Sequence, residues 1–135
     1  MAPGGQATKE FHGDFVAKNE EEQIVTAPVL IPDKPDRAGD VISEDNIEEV
    51  AYKFLADYQN VDLMHTFKNV GVPVESYVAP TDIQFGEDTV PKGAWVLSVK
   101  VENQDVWEAV KSGELTGFSI YGAKDPEKTQ MGGMR

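Results

Sequence analysis

Two histidines, no cysteine and a serine set between phenylalanine and isoleucine bound the covalent chemistry open to this chain of 135 residues. The serine is Ser119 in "GELTGFSIYGA" (residues 113–123), between Phe118 and Ile120. His65 ends the short run "VDLMH", 54 positions earlier. A hydroxyl is a poor nucleophile until a base takes its proton, and imidazole is the side chain suited to that task near neutral pH. A sheet that set the two strands side by side would make Ser119 and His65 a nucleophile and its base. The spacing permits that meeting, and it equally permits a packing serine and a surface histidine. The glycine required two places after the serine of a hydrolase elbow is replaced by Tyr121. The strand–helix–strand rhythm of those enzymes is also missing, so an α/β-hydrolase site is excluded. His12, between Phe11 and Gly13, is expected to do nothing specific.

Other chemistries have less to work with. Without cysteine there are no disulfides and no thiolate metal sites. "DKPDRAGDVISED" offers Asp33, Asp36, Asp40, Glu44 and Asp45, but it departs from the alternating acids, central glycine and distal glutamate of a calcium loop. It reads as a solvated turn entering a helix. No glycine-rich phosphate cradle occurs, so neither metal nor cofactor is expected. With 24 acidic and 12 basic residues the net charge is −12, a field that repels phosphate backbones and argues against nucleic acid as a partner. No stretch approaches the roughly 18 apolar residues of a membrane span, and "MAPGGQATKE" lacks the apolar core of a signal peptide. A cytosolic protein is the expectation.

The elements that must position Ser119 and His65 follow from periodicity. Residues 1–22 carry little pattern and are expected to form a flexible N-terminal arm, followed by one domain over 23–123 and a polar C-terminal tail over 124–135. "QIVTAPVLIP" is β-branched and ends at proline, which predicts a strand. "SEDNIEEVAYKFLADY" predicts the longer helix, with Ser43 as cap and one apolar face of Ile47, Val50, Ala51, Phe54, Leu55 and Tyr58. "VDLMH" and "VPVESYVAP" predict short strands joined by a loop "TFKNVG". "TDIQF" and "GAWVLSVKV" predict a hairpin around "GEDTVPK", the second strand half-buried. "NQDVWEAVKSG" predicts a short helix closed by a left-handed Gly113, and "LTGFSIYGA" a last strand. The expected class is α+β, a mostly antiparallel, barrel-like sheet with one longer and one short helix.

Taken in order, "VTAPVLIPDKPDRAGDVISEDNIEEVAYKFLADYQNVDLMHT", "VPVESYVAP" and "KGAWVLSVKVENQDVWEAVKSGELTGFSIYG" resemble the XkdF-like phage serine proteases, from about Gln23 to Gly122. The resemblance implies a prohead, or capsid maturation, protease with a fold like that of the herpesvirus assemblin group. It implies Ser119 as nucleophile, His65 as base, and backbone N–H groups in "IYGA" as oxyanion donors, since the chain has only two arginines, Arg37 and Arg135. A third residue should orient the histidine, and Glu75 in "VESY" and Asp125 in the tail are the two candidates. Phage scaffold and major capsid protein would be the substrates, cleaved inside an immature prohead in the host cytoplasm, by an enzyme able to self-associate as a homodimer. A relative kept as a non-catalytic capsid- or scaffold-binding module is the alternative.

Overall fold

The computed structural model describes residues 8–36, 39–58, 61–63 and 67–123. Among these residues nine strands and two α-helices follow one another as β1 (Thr8–Asp14), β2 (Ala17–Asn19), β3 (Ile24–Leu30), α1 (Glu44–Lys53), β4 (Val61–Leu63), β5 (Phe67–Val78), β6 (Ile83–Phe85), β7 (Asp88–Val90), β8 (Trp95–Val101), α2 (Gln104–Ser112) and β9 (Gly117–Ala123). Every described strand pair is antiparallel. Seven strands form one sheet in the order β1-β9-β4-β5-β8-β3-β2, and β6 and β7 form a separate hairpin. The class is therefore α+β on a mainly antiparallel sheet, as composition and periodicity indicate.

The sheet closes on itself. Its two edge strands, β1 and β2, are separated in sequence only by Phe15 and Val16. Phe15 N–H donates to Thr116 O at 2.9 Å on the β9 side, and Val16 N–H donates to Thr26 O at 2.8 Å on the β3 side. The chain thus crosses from one edge to the other within two residues, which makes the wall a barrel. Gly13 is where β1 comes down on β3: a Cβ there would lie 2.9 Å from Pro28 O and 3.0 Å from the Ala27 Cβ. Only glycine lets the two strands approach so closely.

Alternation then decides which side chains fill the barrel. Phe11 on β1, Val25 and Ala27 on β3, Trp95, Leu97 and Val99 on β8, and Phe118 and Ile120 on β9 belong to one buried cluster. Trp95 is its centre, with Phe11 edge-on at 6.4 Å and Phe54 tilted at 5.5 Å between ring centroids. Its indole N–H donates to Ser76 Oγ at 2.9 Å, which satisfies the polar end of a buried ring. Helix α1 buries Ile47, Val50 and Ala51 and runs into a π-helical turn, Phe54–Tyr58, that delivers Phe54 to Trp95. Ser43 precedes α1 without making the expected side-chain cap. Helix α2 is capped by Asn103, whose side chain accepts from Val106 N–H at 3.0 Å, and stopped by Gly113 at φ 86°.

Three sequence expectations are corrected. Residues 8–14 and 17–19, assigned to a flexible arm, are strands of the barrel wall. The segment "TFKNVG", read as a loop, enters β5 at Phe67, so β5 runs for 12 residues. "TDIQF" and "GAWVLSVKV" do not pair with each other: β6 pairs with β7, while β8 lies between β5 and β3. That central position explains why β8 is buried on both faces rather than one, with Ala94, Val96 and Val90 forming a second small cluster beneath Ile31, Tyr77 and Phe85.

Because Phe11 is 2% exposed and packs on Trp95, Phe11→Ala is expected to lower unfolding free energy by about 3–5 kcal/mol. Urea denaturation of the two proteins checks this; an arm outside the core would leave the midpoint unchanged.

Candidate active site

Ser119 sits in the middle of β9, which lies between β1 and β4. Its backbone is in register with His12 on β1 and with Asp62 on β4. Phe118 and Ile120 point into the barrel and are fully buried, and Phe118 makes an edge contact with Phe15 at 5.9 Å. Alternation turns Ser119 to the outer face. The residue is nevertheless 1% exposed, and among the described residues its buried Oγ has no hydrogen-bond partner. An unsatisfied buried hydroxyl costs about 1–3 kcal/mol. A fold that keeps one needs a reason, and functional sites are where such groups are found.

A second buried serine supplies the contrast. Ser98 on β8 is also 1% exposed, but its Oγ lies 2.8 Å from Thr26 Oγ1 across the β3–β8 ladder. Ser98 is a satisfied packing residue and Ser119 is not.

His12 is the side chain that sequence reasoning passed over. Residues directly opposite on an antiparallel pair emerge on the same face with Cβ atoms about 4.5–5.5 Å apart. His12 therefore shares the outer face with Ser119. Its ring is 15% exposed, and Nε2 lies 2.8 Å from Asp14 Oδ1, one step along the same face. With Asp14 accepting from Nε2–H, Nδ1 is the acceptor nitrogen of the neutral ring. Gly117, opposite Asp14, provides the ring's seat: a Cβ there would stand 2.9 Å from Nε2 and 2.5 Å from Gly13 O. The signal in the sequence was "FHGD", an apolar–polar alternation of period two that places Phe11 and Gly13 inward and His12 and Asp14 outward.

The expected partners of Ser119 fall out differently. His65 and Asp125 lie outside the described residues. Strand β4, which ends two positions before His65 in sequence, is the neighbour of β9 at Ser119. Glu75 is exposed on β5, in register with Ser98. Gly71 and Ile120 share a row through Val61; Glu75 is four residues beyond Gly71, and Ser119 one residue the other way. At about 3.3 Å per residue and 4.8 Å per strand, Glu75 stands roughly 15 Å along and two strands across from Ser119. That is beyond the span of one imidazole. The charge of Glu75 acts instead on Tyr77, whose phenol is pushed up chiefly by burial and secondarily by that carboxylate. Among the described residues, no three acidic or histidine side chains converge as a metal site.

With this geometry in place, comparison with known sequences decides the lineage. Residues 12–127 match the profile of the family described as "Putative phage serine protease XkdF". The chain belongs to this family. It is 40% identical over 110 residues to the "Phage-like element PBSX protein XkdF" of Bacillus subtilis strain 168, covering 81% of the chain and 40% of that protein. It is 41% identical over 118 residues to the "Uncharacterized protein YqbD" of the same strain, covering 86% of the chain and 36% of that protein. The chain thus spans about two fifths of the length of these relatives. No solved structure matches it. The family match begins at His12, the strand that the barrel requires and that the arm reading had set aside.

Two outcomes follow from the contrast of the serines and from the ring seat. Ser119→Ala is expected to leave stability unchanged or raise it by about 1 kcal/mol, while Ser98→Ala, which strands the Thr26 hydroxyl, is expected to lower it by about 1 kcal/mol. Urea midpoints give both signs. Gly117→Ala is expected to cost about 1–3 kcal/mol through overpacking and to shift the His12 ring resonances in a 15N–1H NMR spectrum; an unmoved His12 signal would contradict the seat.

Proposed function

We propose that this chain is the protease domain of a phage serine endopeptidase acting in capsid maturation, with Ser119 as nucleophile and His65 as base. The observation that carries the reading is the Ser119 hydroxyl, buried on a strand with no hydrogen-bond partner among the described residues, in a chain of the XkdF phage serine protease family. The imidazole takes the hydroxyl proton as Ser119 Oγ bonds to a peptide carbonyl carbon. The same proton passes to the leaving amine as the C–N bond breaks, and water then releases the acyl group by the reverse transfer. Backbone N–H groups following Ser119 hold the oxyanion. A strand of a closed sheet fixes the nucleophile more tightly than a loop would, and a closed antiparallel barrel accords with the assemblin-like fold that the resemblance implies. Scaffold and capsid-protein segments inside the immature head are the substrates in this reading, and self-association as a homodimer belongs to it.

The burial of Ser119 Oγ also favours a second reading, a non-catalytic module that binds scaffold or capsid protein. Access to the hydroxyl requires the outer face of β9 to open, and a module that never opens cleaves nothing.

Co-expression with phage scaffold protein separates the two. In the first reading wild type cleaves the scaffold and Ser119→Ala abolishes cleavage while remaining folded; a binding module retains the scaffold uncut in both. The register of His12 with Ser119 makes its variant the necessary companion. His65→Ala is expected to lower the cleavage rate at least a thousandfold, the order of a lost general base combined with its nucleophile, and His12→Ala far less. The reverse order would assign the base to β1.

A further inference from the structure

Strand β4 is three residues long, yet its place in the barrel wall is closely set. Val61 is fully buried and pairs with Ile120 on one side and Gly71 on the other. A Cβ on Gly71 would collide with Val99 and stand 3.2 Å from Val61 Cγ1, so β5 closes on β4 only through glycine. With Val61 and Ile120 both in the core, the next pair, Asp62 and Ser119, falls on the outer face. His12 pairs with Ser119 from the other side. One row across three strands therefore reads His12, Ser119, Asp62, with the buried hydroxyl at its centre. The carboxylates along this face are not equivalent. Asp14 lies 2.8 Å from His12 Nε2 and is engaged by that ring. Glu10 is opposite Tyr121, one step along from the row. Glu75 lies on β5, beyond β4. Among the described residues, Asp62 is the acid that stands in the row of Ser119, and it stands on the strand whose sequence leads to His65.

We infer that Asp62 is the residue that orients the base. Its carboxylate accepts from the imidazole nitrogen turned away from Ser119, which fixes the tautomer able to take the hydroxyl proton and stabilises the imidazolium formed in that step. The inference rests on the reading of Ser119 as nucleophile with its base on the β4 side. Residues opposite each other on an antiparallel pair hold their Cβ atoms about 4.5–5.5 Å apart, a separation that one imidazole bridges once side-chain length is added. Asp62 is thus a positioning residue, acting on Ser119 through the ring. It fills the place for which Glu75 stands too far along the sheet.

Cleavage of purified phage scaffold protein, followed from pH 5 to pH 10, tests this with Asp62→Asn, Asp62→Glu, Asp14→Asn and Glu75→Gln. Asp62→Asn is expected to lower kcat at pH 7 at least a hundredfold with KM little changed, since a neutral amide can hold the ring in the wrong tautomer. The acid limb of its rate profile should also move down by about one pH unit, because a carboxylate raises the pKa of the imidazole that it orients and its removal lowers it. A side chain that only supported the fold would lower the rate alike at every pH. Asp62→Glu keeps the charge and should stay within about tenfold of wild type, a recovery over Asp62→Asn that misfolding cannot imitate. Asp14→Asn and Glu75→Gln should each lose less than about tenfold. An unmoved acid limb in Asp62→Asn, no recovery with Asp62→Glu, or a larger loss in Asp14→Asn would overturn the inference. Wild type leaving the scaffold intact would sink the nucleophile reading and the inference with it. Wild type cutting while Asp62→Asn cuts equally well would sink the inference alone.

Discussion

Seven successive residues of β1, Thr8 to Asp14, pair with seven of β9, Gly117 to Ala123, and this ladder fixes both the closed sheet and the surroundings of Ser119. Without it β9 would be an edge strand, and its outer face would have no wall. With it, Phe11 drops into the barrel against Trp95 and His12 stands opposite the serine. Gly13 and Gly117 are the two points where the ladder depends on a missing side chain. Gly13 lets β1 meet β3 and close the wall, and Gly117 leaves space for the imidazole beside it. Shape and site are therefore set by the same contact.

The buried hydroxyl acquires its meaning from that frame. A serine on a solvent-facing strand would hydrogen-bond to water and carry no information. Ser119 is enclosed, and its Oγ has no partner among the described residues, while Ser98 in a similar enclosure is matched to Thr26. The difference of a kcal/mol or so between them is small against the stability of a domain, so a core can keep one such group where chemistry uses it. If Ser119 is the nucleophile proposed above, the enclosure requires a local opening before a peptide reaches it, a behaviour common among active-site coverings.

Much of this architecture was legible in the sequence because its signals are local. The apolar face of α1, the left-handed Gly113 and the β-branched runs of β3, β8 and β9 each declare themselves within a few residues. What was hidden is non-local. "TKEFHGD" becomes a strand because β9 lies ready more than a hundred positions later, and nothing within its own seven residues announces that partner. "TDIQF" and "GAWVLSVKV" have the turn signals of a hairpin between them, yet β8 finds better partners in β3 and β5, which bury both its faces. The site divides in the same way. Ser119 could be picked out by its motif, but not distinguished from Ser98 without knowing which hydroxyl lies within reach. Glu75 was placed near the histidine by assuming a short hairpin, and the longer β5 carries it away from Ser119.

The nucleophile assignment is tested most directly by covalent trapping. A peptidyl diphenyl phosphonate, incubated with protein competent to cleave, should add one adduct mass, and peptide mapping should place it on Ser119. The adduct should be absent from Ser119→Ala. An adduct on another residue, or loss of cleavage with Ser119 unmodified, would contradict the account.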